Sequence, residues 1–192
     1  MAGFPKKTPT IFFWLSLLSS AAAIVMMFLN WFSFLALTFG NNNIQETYTL
    51  LQVDKFIITV SKYVPLKDAE WAATVALGAV IAVVALNAVH ILWSLITIRR
   101  NTPRGILPGL AGLLVGGGSL IAYASFSAYI DRTQLDEYVT TIFTTSAMPY
   151  ILIMLAVATV VFSLLNRQES RALYAVKHPR AFEFPPENPE VV

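Results

Sequence analysis

Within the apolar run "WAATVALGAVIAVVALNAVHILWSLITI", residues 71–98, three side chains could do chemistry: Asn87, His90 and Ser94. Spacings of three and four residues put all three on one face of a helix. A histidine in that setting could accept a proton, contact a substrate or ligate haem iron. His178 is the only other histidine and belongs to the C-terminal tail, which excludes two-histidine haem ligation within the apolar segments. No carboxylate lies near His90 in sequence to complete a catalytic pair. The simpler expectation is a neutral imidazole hydrogen-bonding between helices, with Asn87 and Ser94 doing the same. The alternative is that this face lines a path for a transported species.

A second pattern is steric. In "GLAGLLVGGG", Gly109, Gly112 and Gly116 share one helical face, and Gly112 to Gly116 is a GxxxG pair that lets helix backbones approach closely. Packing inside the same molecule is the first expectation, ahead of packing against another protein. Ser16, Ser19 and Ser20, and further on Ser119, Tyr123, Ser125 and Ser127, add hydroxyls that ordinarily satisfy their own backbone or a neighbour. The chain has no cysteine, no HExxH and no phosphate loop ending in GK[ST]. The reading therefore assigns no catalytic residue, no metal ligand and no cofactor.

What must position these groups is a set of membrane spans. Only 12% of residues are charged, about half of the ~25% of an average soluble domain. Uncharged runs cover Thr8 to Gln45, Trp71 to Ile98, Gly105 to Ile130 and Tyr138 to Asn166, each longer than the roughly 20 residues that cross a bilayer. Four spanning helices follow, at 11–31, 71–98, 106–130 and 146–166. Lys6 and Lys7 ahead of "IFFWLSLLSS" and the Ala21 to Ala23 cluster have the outline of a cleaved leader, but the apolar run continues through "IVMMFLNWF", so a retained anchor is expected. Trp31 and Trp71 read as anchors at one membrane interface, Arg99 and Arg100 at the other.

Basic residues set the orientation. Lys6, Lys7, Arg99, Arg100, Arg104, Arg167, Arg171, Lys177 and Arg180, nine of the thirteen, fall on one side, whereas Lys55, Lys62, Lys67 and Arg132 are mixed with acids on the other. By the positive-inside rule the N-terminus (1–10), the connection 99–105 and the tail 167–192 are cytoplasmic, the tail partly disordered. The expected fold is an all-α integral membrane protein, a four-helix up-down-up-down bundle with both termini cytoplasmic. Pro149 near the outer end of the fourth span could kink it.

Residues 32–70 form the longer exterior segment, and 131–145 a short exterior loop. Leu50, Val53, Ile57 and Val60 recur at helical spacing and predict an amphipathic helix. The competing reading takes "TYTLLQV" and "KFIITV" as short strands. The stretch "FSFLALTF", beyond the membrane boundary at Trp31, either prolongs a tilted helix or joins this exterior structure. Pro65 ends the segment and Asp68 is the expected N-cap of the next helix.

Four spans with both ends inside, a long first exterior segment and a short second one resemble the topology of claudin-like and related small four-span proteins. Their signature, a Trp followed by Gly-Leu-Trp and a cysteine pair in the first exterior segment, is missing here, and only Trp31 stands in that stretch. The resemblance is architectural and assigns no activity. The expected role is a non-enzymatic multi-pass protein of a plasma membrane, acting as scaffold, accessory subunit or adhesion-like module through its exterior segment and helix faces. Its partners would be the lipid bilayer and either a second copy or a larger membrane complex, not nucleic acid. The alternative is a small oligomeric channel or transporter using the Asn87, His90 and Ser94 face.

Overall fold

A computed structural model of the chain describes residues 9–38, 44–66, 69–98, 105–133 and 139–177. It is mostly helical, 75%, with a small sheet. The helices are α1 (Ile11–Met26), α2 (Val53–Val60), α3 (Glu70–Ile96), α4 (Ile106–Thr133) and α5 (Met148–Lys177), and the strands are β1 (Phe32–Thr38), β2 (Ile44–Tyr48) and β3 (Val139–Thr145). Within α3, α4 and α5, the stretches Trp71–Ile96, Ile106–Ile130 and Met148–Ser170 are long and apolar enough to cross a membrane, which marks the chain as membrane-embedded. α1 is apolar but shorter, at 16 residues. It packs against α3 and α5, and α4 packs against the same two helices.

The ends of these helices follow from local chemistry. Thr10 caps α1, its Oγ1 accepting from the Phe13 amide at 3.4 Å. At the other end the Trp31 indole donates to the Met26 carbonyl at 2.8 Å, satisfying one of the acceptors that a helix terminus leaves open. The chain then turns into β1. Pro149 lies in the first turn of α5, where its missing N–H is no loss, so it starts the helix and does not kink it. Ala69 occupies the N-cap of α3 without a side-chain bond, and Asp68 lies outside the described residues.

An all-α reading needs correction at the sheet. Its strand order is β2-β1-β3, both pairs antiparallel. "FSFLALT" does not prolong α1. It becomes the central strand, with β2 from the same connection on one side and β3, from between α4 and α5, on the other. The segment read as helix or strands is both: β2, a 3₁₀ turn at Leu50–Gln52, then α2. The expected short loop at 131–145 supplies the third strand, and "VTTIFTT" has the β-branched and aromatic content that a pleated surface favours.

Alternation along β1 separates two faces. Phe34 and Ala36 point inward with their neighbours Tyr48 and Phe143, over Phe56 and Val60 of α2, Val64, and Ile130 at the end of α4. Phe56 is the centre of this core, with ring centroids 4.8 to 6.3 Å from Phe32, Phe34, Tyr48, Phe126 and Phe143. The sheet, α2 and the end of α4 are thereby one packed unit.

Candidate functional site

Two arrangements could carry function: a polar seam buried among the helices and the outer face of the sheet. The seam is built from three stripes. α5 contributes Thr159, Ser163, Asn166 and Ser170 at spacings of four, three and four, all buried. α1 contributes Ser16 and Ser20, and α3 contributes Asn87, His90 and Ser94, also buried. Sequence reading singled out the α3 and α1 groups but not the α5 stripe. Its signal was available, because four polar residues at helical spacing in an apolar run define one face.

Ser16 links the stripes. Its Oγ lies 2.8 Å from Ser163 Oγ, 3.2 Å from His90 Nε2 and 3.4 Å from the Thr159 carbonyl oxygen. Thr10 donates to the Asn166 side-chain carbonyl one step further from the sheet. Gly105 lets α4 begin against this seam, since a Cβ there would stand 2.1 Å from Ser163 Oγ. Asn87 behaves differently from His90: its amide donates to the Val83 carbonyl of its own helix at 2.8 Å.

A serine beside a histidine suggests a nucleophile and its base. Here Ser16 is fully buried and already engaged by Ser163, so the contact joins helices and offers no approach for a substrate. Among the described residues no group of three or more His, Cys, Asp and Glu side chains could hold a metal ion.

The glycine face lies against α5. A Cβ on Gly109 would stand 2.3 Å from Val160 Cγ2, one on Gly112 2.8 Å from Ala156 Cβ, and one on Gly116 2.7 Å from Ile153 Cγ1. Gly117 and Gly118, by contrast, face open space.

Of the four expected interface anchors, Trp71 is 66% exposed in the first turn of α3. Trp31 requires a correction, because it is 1% exposed and its ring packs among Ala23, Met27, Val80, Val83 and Leu152. Its backbone also joins the sheet, the amide donating to the Tyr48 carbonyl and the carbonyl accepting from the Ser146 amide, both at 2.8 Å. The residue read as a lipid anchor is the joint between helices and sheet. Arg99 and Arg100 lie outside the described residues.

The outer face of the sheet carries Ser33, Leu35 and Leu37 of β1 beside Gln45 and Thr47 of β2 and Ile142 and Thr144 of β3. None is charged. Leu35 pairs across to Ile142, and Ser33 Oγ meets Thr144 Oγ1 at 2.5 Å. At the rim Tyr48 donates to the Glu46 carboxylate. Burial, and then the hydrogen bond to Glu46, raise the Tyr48 phenol above the ordinary tyrosine value. A raised phenol pKa means that the fold favours the neutral form. Its contribution to stability is complete below the unfolded tyrosine range and is lost as pH climbs through the folded value. The tyrosinate absorbance titration of Tyr48→Phe, subtracted from that of the parent, should therefore leave a single transition displaced to higher pH.

No protein-family model matches the chain, and no curated protein does either.

Proposed function

We propose that this is a non-enzymatic, multi-pass protein of a plasma membrane, a scaffold, accessory subunit or adhesion-like module that presents its sheet outside the cell. α1, α3, α4 and α5 would form a four-helix up-down-up-down bundle with both termini cytoplasmic. α1 covers about 24 Å at ~1.5 Å per residue. The exposed Phe28 and Leu29 in the turn that follows lengthen its lipid-compatible surface. The charge distribution supports the orientation, since in sequence Arg99, Arg100 and Arg104 fall between the end of α3 and the start of α4, and Arg167 and Arg171 in the last turns of α5, the helix ends away from the sheet.

One observation carries the functional reading. Both connections on the sheet side are spent on a single sheet, locked to the helix ends through Trp31 and the Phe56 cluster, with an outer face that is uncharged among the described residues. A loop that merely joined helices would not need that investment in packing. The channel or transporter reading draws on the buried polarity around Asn87, His90 and Ser94. It is the weaker of the two, because the Ser16, Ser163 and His90 contacts close the seam and apolar side chains fill the helix interior toward the sheet.

The cysteine-free chain makes the test clean. Ile142→Cys, 41% exposed on the outer face, coupled on intact cells to a membrane-impermeant photoactivatable maleimide, should give a discrete crosslinked species whose mass identifies a second copy or another protein. Thr102→Cys should not react from outside. Failure of Ile142→Cys to react, or reaction at Thr102→Cys, would remove the orientation. Efficient labelling that crosslinks to nothing would remove the docking role.

A further inference from the structure

Hydroxyls inside apolar helices usually donate to the carbonyl four residues back. Ser19, Ser119 and Thr159 all do so, at 2.7 to 2.9 Å. Four buried serines of the seam depart from the habit. Ser16 and Ser163 find each other. Ser20 and Ser94 are both 0% exposed, and their Oγ atoms have no hydrogen-bond partner among the described residues. Leaving a hydroxyl unbonded in an apolar interior is unfavourable, so each such group needs an explanation.

Their positions supply one. Ser20 is one helical turn beyond Ser16 on α1, on the side toward the sheet, and Ser94 is one turn beyond His90 on α3, on the side away from it. The two hydroxyls bracket the link formed by Ser16, His90 and Ser163. Away from the sheet the seam continues polar through Thr10, Asn166 and Ser170. Toward the sheet it ends at Ala23, Met27, Trp31, Val80, Val83 and Leu152, all buried and apolar.

We infer that the seam binds internal water on either side of the Ser16, His90 and Ser163 link, one site against Ser94 reached from the end away from the sheet and one against Ser20 enclosed between the link and the Met27 and Trp31 cluster. Water fits because buried water is held by a few polar partners at once, and hydroxyls, an imidazole and a carboxamide stand here within a turn of one another. Among the described residues buried along the seam none is a carboxylate, and His90 is the only one able to carry positive charge. One carboxylate oxygen of the partly buried Glu169, between Asn166 and Ser170 on α5, is a further acceptor for water at the end away from the sheet. A dead-end hydrated pocket is also what distinguishes this arrangement from a pore.

Radiolytic hydroxyl-radical footprinting of the protein in lipid nanodiscs tests it, because radicals generated from bound water oxidise the side chains beside that water. His90, only 3% exposed, should be oxidised faster than Met27 and Trp31 once intrinsic reactivities are allowed for. The Ser20→Ala, Ser94→Ala double variant should lose most of that oxidation, several-fold, without a rise in thermal midpoint. Oxidation of His90 no faster than that of Met27 overturns the inference. So does a higher midpoint for either single variant, the signature of removing a dry, unbonded hydroxyl.

Discussion

Leucine at both Gly112 and Gly116 should abolish the close packing of α4 on α5 and lower the thermal midpoint of the detergent-solubilised protein by the largest margin of any surface-neutral substitution. Even a methyl group is too much at this face. At Gly116 a Cβ would come within 3.0 Å of the Pro149 carbonyl oxygen, and at Gly109 within 2.9 Å of that of Ala156, so the obstacle is backbone that cannot rotate away. Overpacking a well-packed site typically costs about 1–3 kcal/mol per position, and two adjacent positions on one rigid interface leave no common direction for relief. Separating the helices would also open the seam, because Ser163 is on α5 and Gly105 on α4. Gly117→Leu and Gly118→Leu are the controls, since both Cβ positions meet open space and should leave the midpoint near that of the parent. A Gly112→Leu, Gly116→Leu protein that melts with the parent would show that α4 and α5 do not meet along this face.

The contrast between neighbouring glycines shows what could be read from the sequence. Uncharged runs reveal helices that need lipid, since a bilayer's thickness imposes a length and an absence of charge that any single segment displays by itself. GxxxG reveals a close approach for the same local reason. The sheet is another matter. β1 and β3 pair Phe32 with Thr145 and Leu35 with Ile142, more than a hundred residues apart, and nothing in "FSFLALT" or "VTTIFTT" names the other. Trp31 was misread for a related reason: a tryptophan at the end of an apolar run has the same local appearance whether its ring meets lipid or a neighbouring helix. The α5 stripe was legible by period alone. Threonine, serine and asparagine carry less chemical expectation than the histidine across from them, so period is the one signal that marks this face.

Replacement of Phe56 by alanine should undo the sheet while sparing the helices. Phe56 is not among the residues whose recurrence predicts α2, although it stands three after Val53 and four before Val60, and it is the ring that five others meet. Losing a buried phenylalanine costs about 3–5 kcal/mol, and in a core this aromatic the cavity cannot be refilled by shifts of flat, rigid neighbours. The layer beneath the three-stranded sheet is α2 with the end of α4, and Phe56 is the side chain at its centre. The helix contacts of α1 and α4 with α5 do not pass through Phe56, so membrane insertion and most of the helical circular dichroism should persist. Trypsin reads the difference, because Lys55 and Lys62 are exposed on and just after α2 and are protected only by the folded backbone around them. If cleavage proceeds through local opening, a loss near 3 kcal/mol accelerates it roughly a hundredfold. Phe56→Leu, which keeps most of the apolar volume, should fall between parent and alanine variant. Cleavage of Phe56→Ala at the parental rate would mean that the sheet is held by the helix ends alone, and that Trp31, not the aromatic core, is what fixes it in place.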